Sequence, residues 1–571
     1  MGGGKDPRLR FVYVQKGERE FLGERNGVNL GMTQSLKVQN LIFNLAAQAQ
    51  NLSASLNREE KPKFVVLELS GSYPARAIRK FPDVLFNRQE SLEEFEYKLE
   101  VLSKQSWLEG VILRLDALNL DWGKAYSMRR AIERLSEKKK TYVLAQGFNM
   151  RSYFAVSSAS HLVLPEGAEL ELLGLSISQP YFKDLMGRYG VSFDAVAIKE
   201  YKSAVSSFTQ SESTPEQREQ LERLIASLQE TFCSEVARSR GVSPETVAGW
   251  LRSGLSSAAE AKRLGVIDRV AYEDELLSKM HQPMSSAAKH LTVPMREGAG
   301  RVAVVKLEGT IVTGRSKRSP LPMFDTGQVG SESVIRALRL AEEDEATQSI
   351  VLYVDSGGGS ALASDLIWRE VKRIAALKPI VAVMGSAAAS GGYYVLTHAK
   401  HVIAAPTTLT GSIGVVLGKA VLEGFNAKYG INNETFKTAP LADYADASHP
   451  FDPAQRTWLE RSAAEVYDRF VSRVAEGRRI SPARVNEIGR GRVWTGADAL
   501  GLGLVDALGT LEDGIQKAKE LAGLPHGASS WTVEAGKQMV IPEGGEGALE
   551  LLMPLLKERV LLTMPLGFKL S

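Results

Sequence analysis

Short apolar runs of strand length alternate with longer amphipathic stretches from about residue 63 to about residue 522. The runs at 63–71 and 110–116 are rich in valine, isoleucine and leucine, which favours strands. The stretches between the runs are long enough for helices. Alternating strands and helices predict an α/β layered fold for most of the chain.

The same pattern occurs twice, at a spacing of about 238 residues, the distance from Lys63 to Arg301. Five pairs of segments match in order: 63–71 with 301–309, 110–116 with 349–355, 153–161 with 393–401, 242–244 with 480–482, and 264–268 with 502–506. Each copy is far longer than the unit of a solenoid repeat. The sequence therefore predicts two tandem copies of one α/β fold.

This repeat divides the chain into five parts. They are an N-terminal extension (1–60), a first domain (61–282), a polar linker (283–300), a second domain (301–524) and a C-terminal tail (525–571). The apolar runs of the tail are broken by Pro554 and by charged residues at 557–559, so the tail cannot span a membrane. Packing onto the protein or a partner is the default for the tail, and lying at a membrane surface is the alternative.

Composition excludes several classes of function. The 70 basic and 67 acidic residues give a formal charge of +3, which is too even to indicate nucleic-acid binding. The seven histidines are scattered, and Cys233 is the single cysteine. The chain therefore cannot form an intramolecular disulfide or a cysteine-rich zinc site, and we expect neither a metal nor a cofactor. The sequence shows no apolar signal-peptide core at its start and no apolar stretch of bilayer-spanning length.

The candidate chemistry centres on residues 379–398. The apolar run 380–384 predicts a buried strand, the small residues 385–389 predict a tight turn, and 393–396 predict the start of a helix. Ser390 lies between the turn and the helix and is followed by two glycines. A serine at such a junction is placed to act as a nucleophile beside backbone N–H groups that can bind an anion. The alternative interpretation is a helix N-cap.

Comparing the two copies favours the nucleophile. In the second copy, the strand that ends at Asp355 leads into a Ser-Gly-Gly-Gly-Ser segment, 356–360, whereas the first copy has no glycine there. Three glycines after a strand allow backbone N–H groups to face a ligand oxygen. Aligning the copies also places Met150 opposite Ser390. One copy therefore carries a candidate site that the other lacks.

A serine hydroxyl needs a base that accepts its proton. His398 is eight residues from Ser390, about 12 Å along a continuous helix, so we interpret it as structural. A lysine in an apolar site is the remaining candidate, because burial lowers its pKa. Lys202 lies where the second copy has Leu441 or Ala442. Ser390 and Lys202 would then form one shared site between the two domains.

At these residues the chain resembles the S49 serine peptidases, in the long tandem-domain form known as signal peptide peptidase A or protease IV. The resemblance runs from about residue 63 to about residue 522. Its most specific motifs are Tyr-Lys-Ser-Ala at 201–204 and Ala-Ala-Ser-Gly-Gly-Tyr at 388–393. Leu-Thr-Gly-Ser-Ile-Gly at 409–414 and Val-Trp-Thr-Gly at 493–496 fit as well.

The resemblance implies a fold and a set of roles. It implies two ClpP/crotonase-like α/β units that assemble into a homo-oligomer, a tetramer. It also implies a Ser/Lys dyad with Ser390 as nucleophile and Lys202 as general base. It also assigns Ser412 to orienting the lysine and the backbone N–H groups of Gly358 or Gly359 and of Gly391 to the oxyanion hole. The implied function is endopeptidase cleavage, through an acyl-enzyme, of extended apolar peptides such as released signal peptides.

The chain departs from this family at two places. The usual Ser-Pro-Gly-Gly-Ser is Ser-Gly-Gly-Gly-Ser here, and the usual N-terminal membrane anchor is absent from this sequence. The family implies a location at the bacterial cell envelope with peripheral membrane contact, and the missing anchor leaves the cytoplasm as the alternative. A non-catalytic ring-forming scaffold and a crotonase-like acyl-CoA enzyme are the competing functions.

Overall fold

The computed structural model describes residues 36–57, 59–76, 90–255, 257–278, 288–318 and 327–533, together with the short pieces 538–539, 561–563 and 569–570. Up to residue 290 the elements are α1 (Leu36–Leu56), β1 (Phe64–Gly71), α2 (Leu92–Ser103), β2 (Gly110–Leu118), α3 (Trp122–Ser136), β3 (Lys140–Ala145), β4 (Gly147–Asn149), α4 (Met150–Val156), β5 (His161–Leu164), β6 (Glu169–Glu171), β7 (Ile177–Ser178), α5 (Lys183–Arg188), β8 (Ser192–Ile198), α6 (Ser206–Thr209), α7 (Pro215–Arg240), α8 (Pro244–Ser253), α9 (Ala258–Arg263), β9 (Arg269–Val270), α10 (Glu273–Leu277) and a 3₁₀ turn (Ala288–His290).

From residue 301 onward they are β10 (Arg301–Glu308), β11 (Thr310–Val312), β12 (Lys317–Arg318), β13 (Gln328–Gly330), α11 (Ser331–Glu343), β14 (Thr347–Ser356), β15 (Gly358–Ser360), α12 (Ala361–Ala375), β16 (Ile380–Ala389), α13 (Gly391–Tyr394), β17 (His401–Ala404), β18 (Leu409–Gly411), β19 (Val415–Val421), α14 (Glu423–Tyr429), α15 (Pro453–Arg478), α16 (Pro482–Ile488), β20 (Val493–Thr495), α17 (Gly496–Gly501), β21 (Ala507–Leu508), α18 (Leu511–Leu521), β22 (Ser530–Val533), β23 (Gln538–Met539), β24 (Leu561–Thr563) and β25 (Lys569–Leu570).

These elements form two compact units that do not follow one another simply along the chain. Unit 1 takes its described residues from 1–174, 232–302 and 519–530, and unit 2 takes them from 175–231, 303–518 and 531–571. Residues 175–231, which the sequence repeat places in the first copy, therefore belong to unit 2. The domain boundaries drawn from the repeat divide the chain along its sequence, and they stay a prediction.

Unit 1 is built on a five-stranded parallel sheet with the strand order β1-β2-β3-β5-β9. The centre of β2, at Val111, Ile112 and Leu113, is completely buried, as expected for a parallel strand that is covered on both faces. The next helix, α3, begins after Asp121, whose carboxylate accepts the N–H of Lys124 as an N-cap.

Unit 2 contains two larger sheets. The main sheet has the order β20-β18-β16-β14-β10-β22, with β17 paired to β16 and β21 paired to β17. Its strands β10, β14, β16, β17 and β21 follow the same spatial order as the five strands of unit 1. The second sheet has the order β13-β11-β15-β24-β19-β8. Both units are α/β, which confirms the predicted fold class.

A buried hydrogen bond occurs at the same place in both units and supports the repeat at atomic detail. In unit 1 the hydroxyl of Tyr153 donates to the backbone oxygen of Val266 over 2.8 Å. In unit 2 the hydroxyl of Tyr393 donates to the backbone oxygen of Leu504 over 2.9 Å. Both tyrosines are fully buried, so each phenol needs such a partner. Matching segments of the sequence thus make matching contacts.

Candidate active site

Ser390 follows β16 directly, and its side chain is completely buried. The strand is longer than the sequence predicts, because it includes the small residues 385–389. The prediction of a tight turn there is wrong: Ala387, Ala388 and Ala389 pair in parallel with β18. The register between β14 and β16 shifts beside these residues, and small side chains suit such an irregular strand. β16 therefore carries the chain all the way to Ser390.

The backbone of Ser390 is in an uncommon conformation, with φ 54° and ψ −116°. Positive φ is unfavourable for a residue with a Cβ, and it persists where the surrounding structure enforces it. The N–H of Ser390 donates to the oxygen of Gly411 over 2.8 Å, which ties the residue to the end of β18. Ser390 occupies the N-cap position of α13, but its side chain makes no capping hydrogen bond. The hydroxyl is directed elsewhere.

Lys202 reaches this serine from the loop between β8 and α6. The strand β8 pairs with β19 over seven residues, from Val415 opposite Ile198 to Val421 opposite Ser192. This ladder places the end of β8 beside the start of β19, and Lys202 follows four residues after β8. Only 3% of Lys202 is exposed. The pairing of β8 with β19 therefore places Lys202 next to the buried Ser390.

The Lys202 amine has three oxygen neighbours. Nζ lies 2.8 Å from Ser390 Oγ, 3.0 Å from the backbone oxygen of Ser412 and 3.0 Å from Ser412 Oγ. Ser412 has a φ of 52° and is completely buried. The structure thus brings Lys202, Ser390 and Ser412 together, as the resemblance implies.

Burial lowers the pKa of the Lys202 ammonium well below its ordinary value. The cause is the loss of water around the charged form. The amine is therefore neutral at a lower pH than an exposed lysine would be.

The glycine segment after β14 packs against the residue that follows Ser390. A Cβ added to Gly391 would lie 3.2 Å from Gly358 Cα, 3.2 Å from Gly359 N and 2.6 Å from Ser364 Oγ. Gly358 and Gly359 both have positive φ, 108° and 154°. The N–H of Gly358 donates to Ser356 Oγ over 3.1 Å. The three glycines that the resemblance assigns to the oxyanion hole therefore lie close together.

Replacing Gly359 with alanine is expected to destabilise the protein. The new Cβ would lie 2.0 Å from the backbone oxygen of Ile311, so the strand β15 or β11 must move. We expect a loss of about 2 kcal/mol or more in the free energy of unfolding, seen as a lower midpoint of thermal unfolding. Gly501→Ala is the control, because a Cβ there meets nothing within 4 Å. An unchanged midpoint in Gly359→Ala would contradict the crowding.

A short strand from the C-terminal tail lies beside this glycine segment. The strand β24 pairs antiparallel with β15, with Gly359 opposite Leu562, and it also pairs antiparallel with β19 at Val416 opposite Leu561. The sequence did not predict this pairing, because the run of apolar residues in the tail carries no signal for a partner. The remainder of the stretch 548–564, which the sequence predicts to pack or to lie at a membrane, falls outside the described residues.

His398 has a structural environment. Its Nδ1 accepts the N–H of the Trp368 indole over 2.8 Å, and its Nε2 lies 3.5 Å from a carboxylate oxygen of Glu476. Burial lowers the pKa of the imidazole. The helix α13 is a single turn, so the continuous helix used to estimate the distance from Ser390 does not form. Within the described residues, His398 contacts neither Ser390 nor Lys202.

Sequence reasoning missed two glycines that make room for the lysine. A Cβ added to Gly414 would lie 3.0 Å from Lys202 Cδ, and one added to Gly491 would lie 2.5 Å from Lys202 N. Gly414 is part of the Thr-Gly-Ser-Ile-Gly motif, but Gly491 lies outside the motifs that carry the family resemblance. A glycine between two arginines carries no chemical signal by itself, which is why this contact could not be found from the sequence.

Comparison with known proteins assigns the class. The model of peptidase family S49 matches residues 133–286 and 372–525, which together are more than half of the chain, and the two segments start about 239 residues apart. The model of the Clp protease family matches residues 325–409. The chain belongs to peptidase family S49 and is a serine peptidase with two tandem ClpP-like α/β units.

The chain is similar to proteins of bacteria and of a plant chloroplast. It is 31% identical to "Protease 4" of Salmonella typhi over 442 residues, 73% of this chain and 70% of the relative. It is 29% identical to "Serine protease SPPA, chloroplastic" of Arabidopsis thaliana over 460 residues, 77% of this chain and 67% of the relative. A solved structure of a ClpP1 mutant from Listeria monocytogenes matches 37% of this chain and 94% of its own, with 17% identity and a TM-score of 0.24, too low to bear on the fold.

No helix among the described residues is both long enough and apolar enough to cross a membrane.

Proposed function

We propose that this serine peptidase is an endopeptidase that cleaves extended apolar peptides, such as released signal peptides, with Ser390 as nucleophile and Lys202 as general base. The observation that carries the proposal is the 2.8 Å distance between Lys202 Nζ and Ser390 Oγ. A nucleophile and its base within hydrogen-bond reach are the geometric signature of covalent catalysis. Both side chains are buried, so bulk water does not compete for the serine proton.

The three neighbours of Nζ match the hydrogen-bonding capacity of a neutral amine. Such an amine has two N–H donors and one lone pair. The two oxygens of Ser412 are acceptors at 3.0 Å, and they take the two N–H groups. The lone pair is then directed at Ser390, whose O–H donates to it. Ser412 is in this way the residue that orients the base, and the lowered pKa of Lys202 supplies the neutral form.

In the reaction, Ser390 Oγ attacks the carbonyl carbon of the peptide while Lys202 Nζ takes the hydroxyl proton. The tetrahedral intermediate collapses, the C–N bond breaks, and the Lys202 ammonium donates its proton to the leaving amine. Water then attacks the acyl-enzyme ester, and Nζ accepts the proton of the water. The second tetrahedral intermediate collapses, the C–Oγ bond of the ester breaks, and the Lys202 ammonium returns its proton to Ser390 Oγ. This step releases the carboxylic acid and restores the serine hydroxyl and the neutral lysine.

Backbone N–H groups stabilise the oxyanion in this proposal. Gly391 follows the nucleophile directly, and Gly359 N lies 3.2 Å from the position of a Cβ on Gly391. Gly358 can contribute only if its N–H exchanges the present bond to Ser356 Oγ. Removal of one such donor in other peptidases costs about 100-fold to 1,000-fold in rate.

An extended substrate is supported by the pairing of β24. That strand lies between β15 and β19 in the extended conformation, next to the glycine segment at 358–360. A peptide that pairs with a strand edge gains main-chain hydrogen bonds without regard to its sequence. The preference for apolar side chains and for signal peptides rests on the family resemblance, as do assembly into a tetramer and a location at the cell envelope.

A serine-directed fluorophosphonate probe tests the proposal. We expect the wild-type protein to cleave a fluorogenic peptide rich in leucine and alanine, and the probe to modify Ser390, identified by mass spectrometry of the digested protein. Ser152, two positions from the place that corresponds to Ser390 in the first copy, serves as an internal control and should remain unmodified.

Other outcomes would assign other functions. Modification of Ser390 without cleavage of any peptide would keep the nucleophile and remove the proposed substrate class. A protein inert to both probe and peptide would favour a scaffold. Hydrolysis of an acyl-CoA without labelling of Ser390 would favour the crotonase-like reaction.

A further inference from the structure

We propose that the loop Arg490–Arg492, between α16 and β20, is a positioning element that holds the Lys202 amine between Ser390 and Ser412, and that Gly491 sets the position of the lysine backbone. The inference rests on the proposed function, because it assigns a role in presenting the general base. The contacts that the loop makes are with the segment of Lys202 and with the segment of Ser412, so its action is through these two residues.

The first support is the close approach of Gly491 to Lys202. A Cβ on Gly491 would lie 2.5 Å from Lys202 N, 2.7 Å from its Cα and 2.7 Å from its Cβ. Such distances are far below van der Waals contact, so only glycine fits without movement of the lysine. Gly491 also has a φ of 83°, which a residue with a side chain adopts only at a cost. The backbone of the lysine thus lies directly on the loop.

The second support is that the loop bonds to the segments on both sides of the amine. The N–H of Tyr201 donates to the oxygen of Arg490 over 3.2 Å. The N–H of Ser412 donates to the oxygen of Arg492 over 2.7 Å, and the N–H of Gly491 donates to the oxygen of Ile413 over 2.7 Å. Three successive residues therefore join the segment that carries the base to the segment that orients it. A shift of the loop therefore changes the positions of both Lys202 and Ser412.

Two arginine side chains fix the loop from outside. Arg490 forms an ion pair with Glu200, two residues before the lysine. Arg492 lies 2.8 Å from Glu219 on α7, and its guanidinium stands over the ring of Tyr201 at 4.9 Å. The hydroxyl of Tyr201 donates to the same Glu219 over 2.7 Å. Each of the three residues Arg492, Tyr201 and Glu219 therefore contacts the other two. Tyr201 directly precedes Lys202 in the sequence, so these contacts hold the backbone next to the base.

The charged and titratable groups on the elements around Lys202 are Lys199, Glu200 and Tyr201 on its own segment, Glu219 on α7, Tyr467 on α15, and Arg490 and Arg492 in the loop. Burial is the cause of the lowered pKa of Lys202. Loosening the loop would admit water to the amine, and its pKa would then rise toward the ordinary value.

The Gly491→Ala variant tests the inference. We expect kcat/KM to fall by about 100-fold, mainly through kcat, and the midpoint of its pH profile to move to higher pH by about one pH unit. A second readout needs no activity: the titration of the Lys202 amine, followed by NMR of protein labelled with ¹³C at lysine Cε and assigned with Lys202→Met. The same displacement to higher pH is expected there.

Arg492 provides variants that keep the glycine. Arg492→Ala should lower kcat/KM by about 10-fold and move the midpoint in the same direction. Arg492→Lys, which keeps a cation over the Tyr201 ring, should restore part of the loss. The matched control is Arg484→Ala, because Arg484 is exposed and pairs with Glu487 on its own helix. This control should behave as wild type. If Gly491→Ala does not fold, the kinetics and the Lys202 titration of the Arg492 variants test the positioning role.

The two proposals fail in different ways. Folded variants that keep the wild-type midpoint of the Lys202 titration would overturn the positioning role, even if their activity were lower by a constant factor at every pH. A wild-type protein that cleaves no peptide, but whose Lys202 titration moves in the variants, would remove the proposed function and retain the positioning role of the loop.

Discussion

We expect Lys202→Met to lower kcat/KM for peptide cleavage by about 1,000-fold or more, while the protein stays folded. Methionine has a similar length and no basic nitrogen, so it fills the buried site of Lys202 but cannot take the proton of Ser390. Its side chain also removes the need to bury an amine, which favours the folded state. The measurement is steady-state kinetics with the fluorogenic peptide, together with circular dichroism to verify the fold.

The pH dependence gives this prediction a definite sign. The proposed base works in its neutral form, so we expect kcat/KM of the wild-type protein to rise as the pH increases through the lowered pKa of Lys202. Stability follows the same direction: between that pKa and the unfolded value of about 10.4, the unfolded chain binds more protons, and the free energy of unfolding increases with pH. In Lys202→Met, we expect neither the rise of kcat/KM nor the rise of the free energy of unfolding that the titration of Lys202 causes.

The control for this variant is Lys199→Met, the same change three residues away. Lys199 is exposed, and its amine lies over the ring of Tyr467 at 5.4 Å. The oxygens of Ser390 and Ser412 are instead hydrogen-bond partners of the Lys202 amine. Lys199→Met should retain the activity and the pH profile of the wild type. Activity in Lys202→Met at the level of this control would exclude the lysine as the base.

Ser390→Ala should have the largest effect, a loss of roughly 10,000-fold or more in kcat/KM together with complete loss of fluorophosphonate labelling. Without Oγ no acyl-enzyme can form, and the remaining groups can only bind the peptide. The backbone at Ser390 keeps its positive φ in alanine, so the change alters chemistry rather than the type of backbone strain. Kinetics and intact-protein mass spectrometry measure the two losses.

Ser472→Ala is a suitable comparison for Ser390→Ala. Ser472 is exposed on α15 and donates to the oxygen of Asp468 one turn earlier, so its loss should change neither cleavage nor labelling. If Ser390→Ala still formed a covalent adduct, another nucleophile would have to be sought among the remaining serines.

The repeat made much of the fold predictable from the sequence. The matching segments 63–71 and 301–309 form β1 and β10, and 110–116 and 349–355 form β2 and β14, at corresponding places in the two sheets. Tyr153 and Tyr393 make the same hydrogen bond in the two units. The pairing of Ser390 with Lys202 was also inferred, because each copy lacks the residue that the other has. The fold was predicted from the identity between the two copies, and the site was predicted from the difference between them.

Local backbone geometry was less accessible. The small residues 385–389 suggest a turn, but pairing with β18 keeps them in a strand, and tertiary contacts of this kind override local propensity. The sequence also gives no sign that residues 175–231 join unit 2, since the seven-residue ladder between β8 and β19 that holds them there involves distant segments. The room that Gly491 leaves for Lys202 depends on the same long-range packing.

The strand β24 affects the dissociation constant of any peptide that pairs with β15. A peptide that pairs with β15 must exchange its hydrogen bonds with those that β24 already makes. The competitor belongs to the same chain, so its effective concentration is set by the length and stiffness of the tail and does not fall when the protein is diluted. An observed dissociation constant for such a peptide is therefore the intrinsic value multiplied by a fixed factor, the same at every protein concentration.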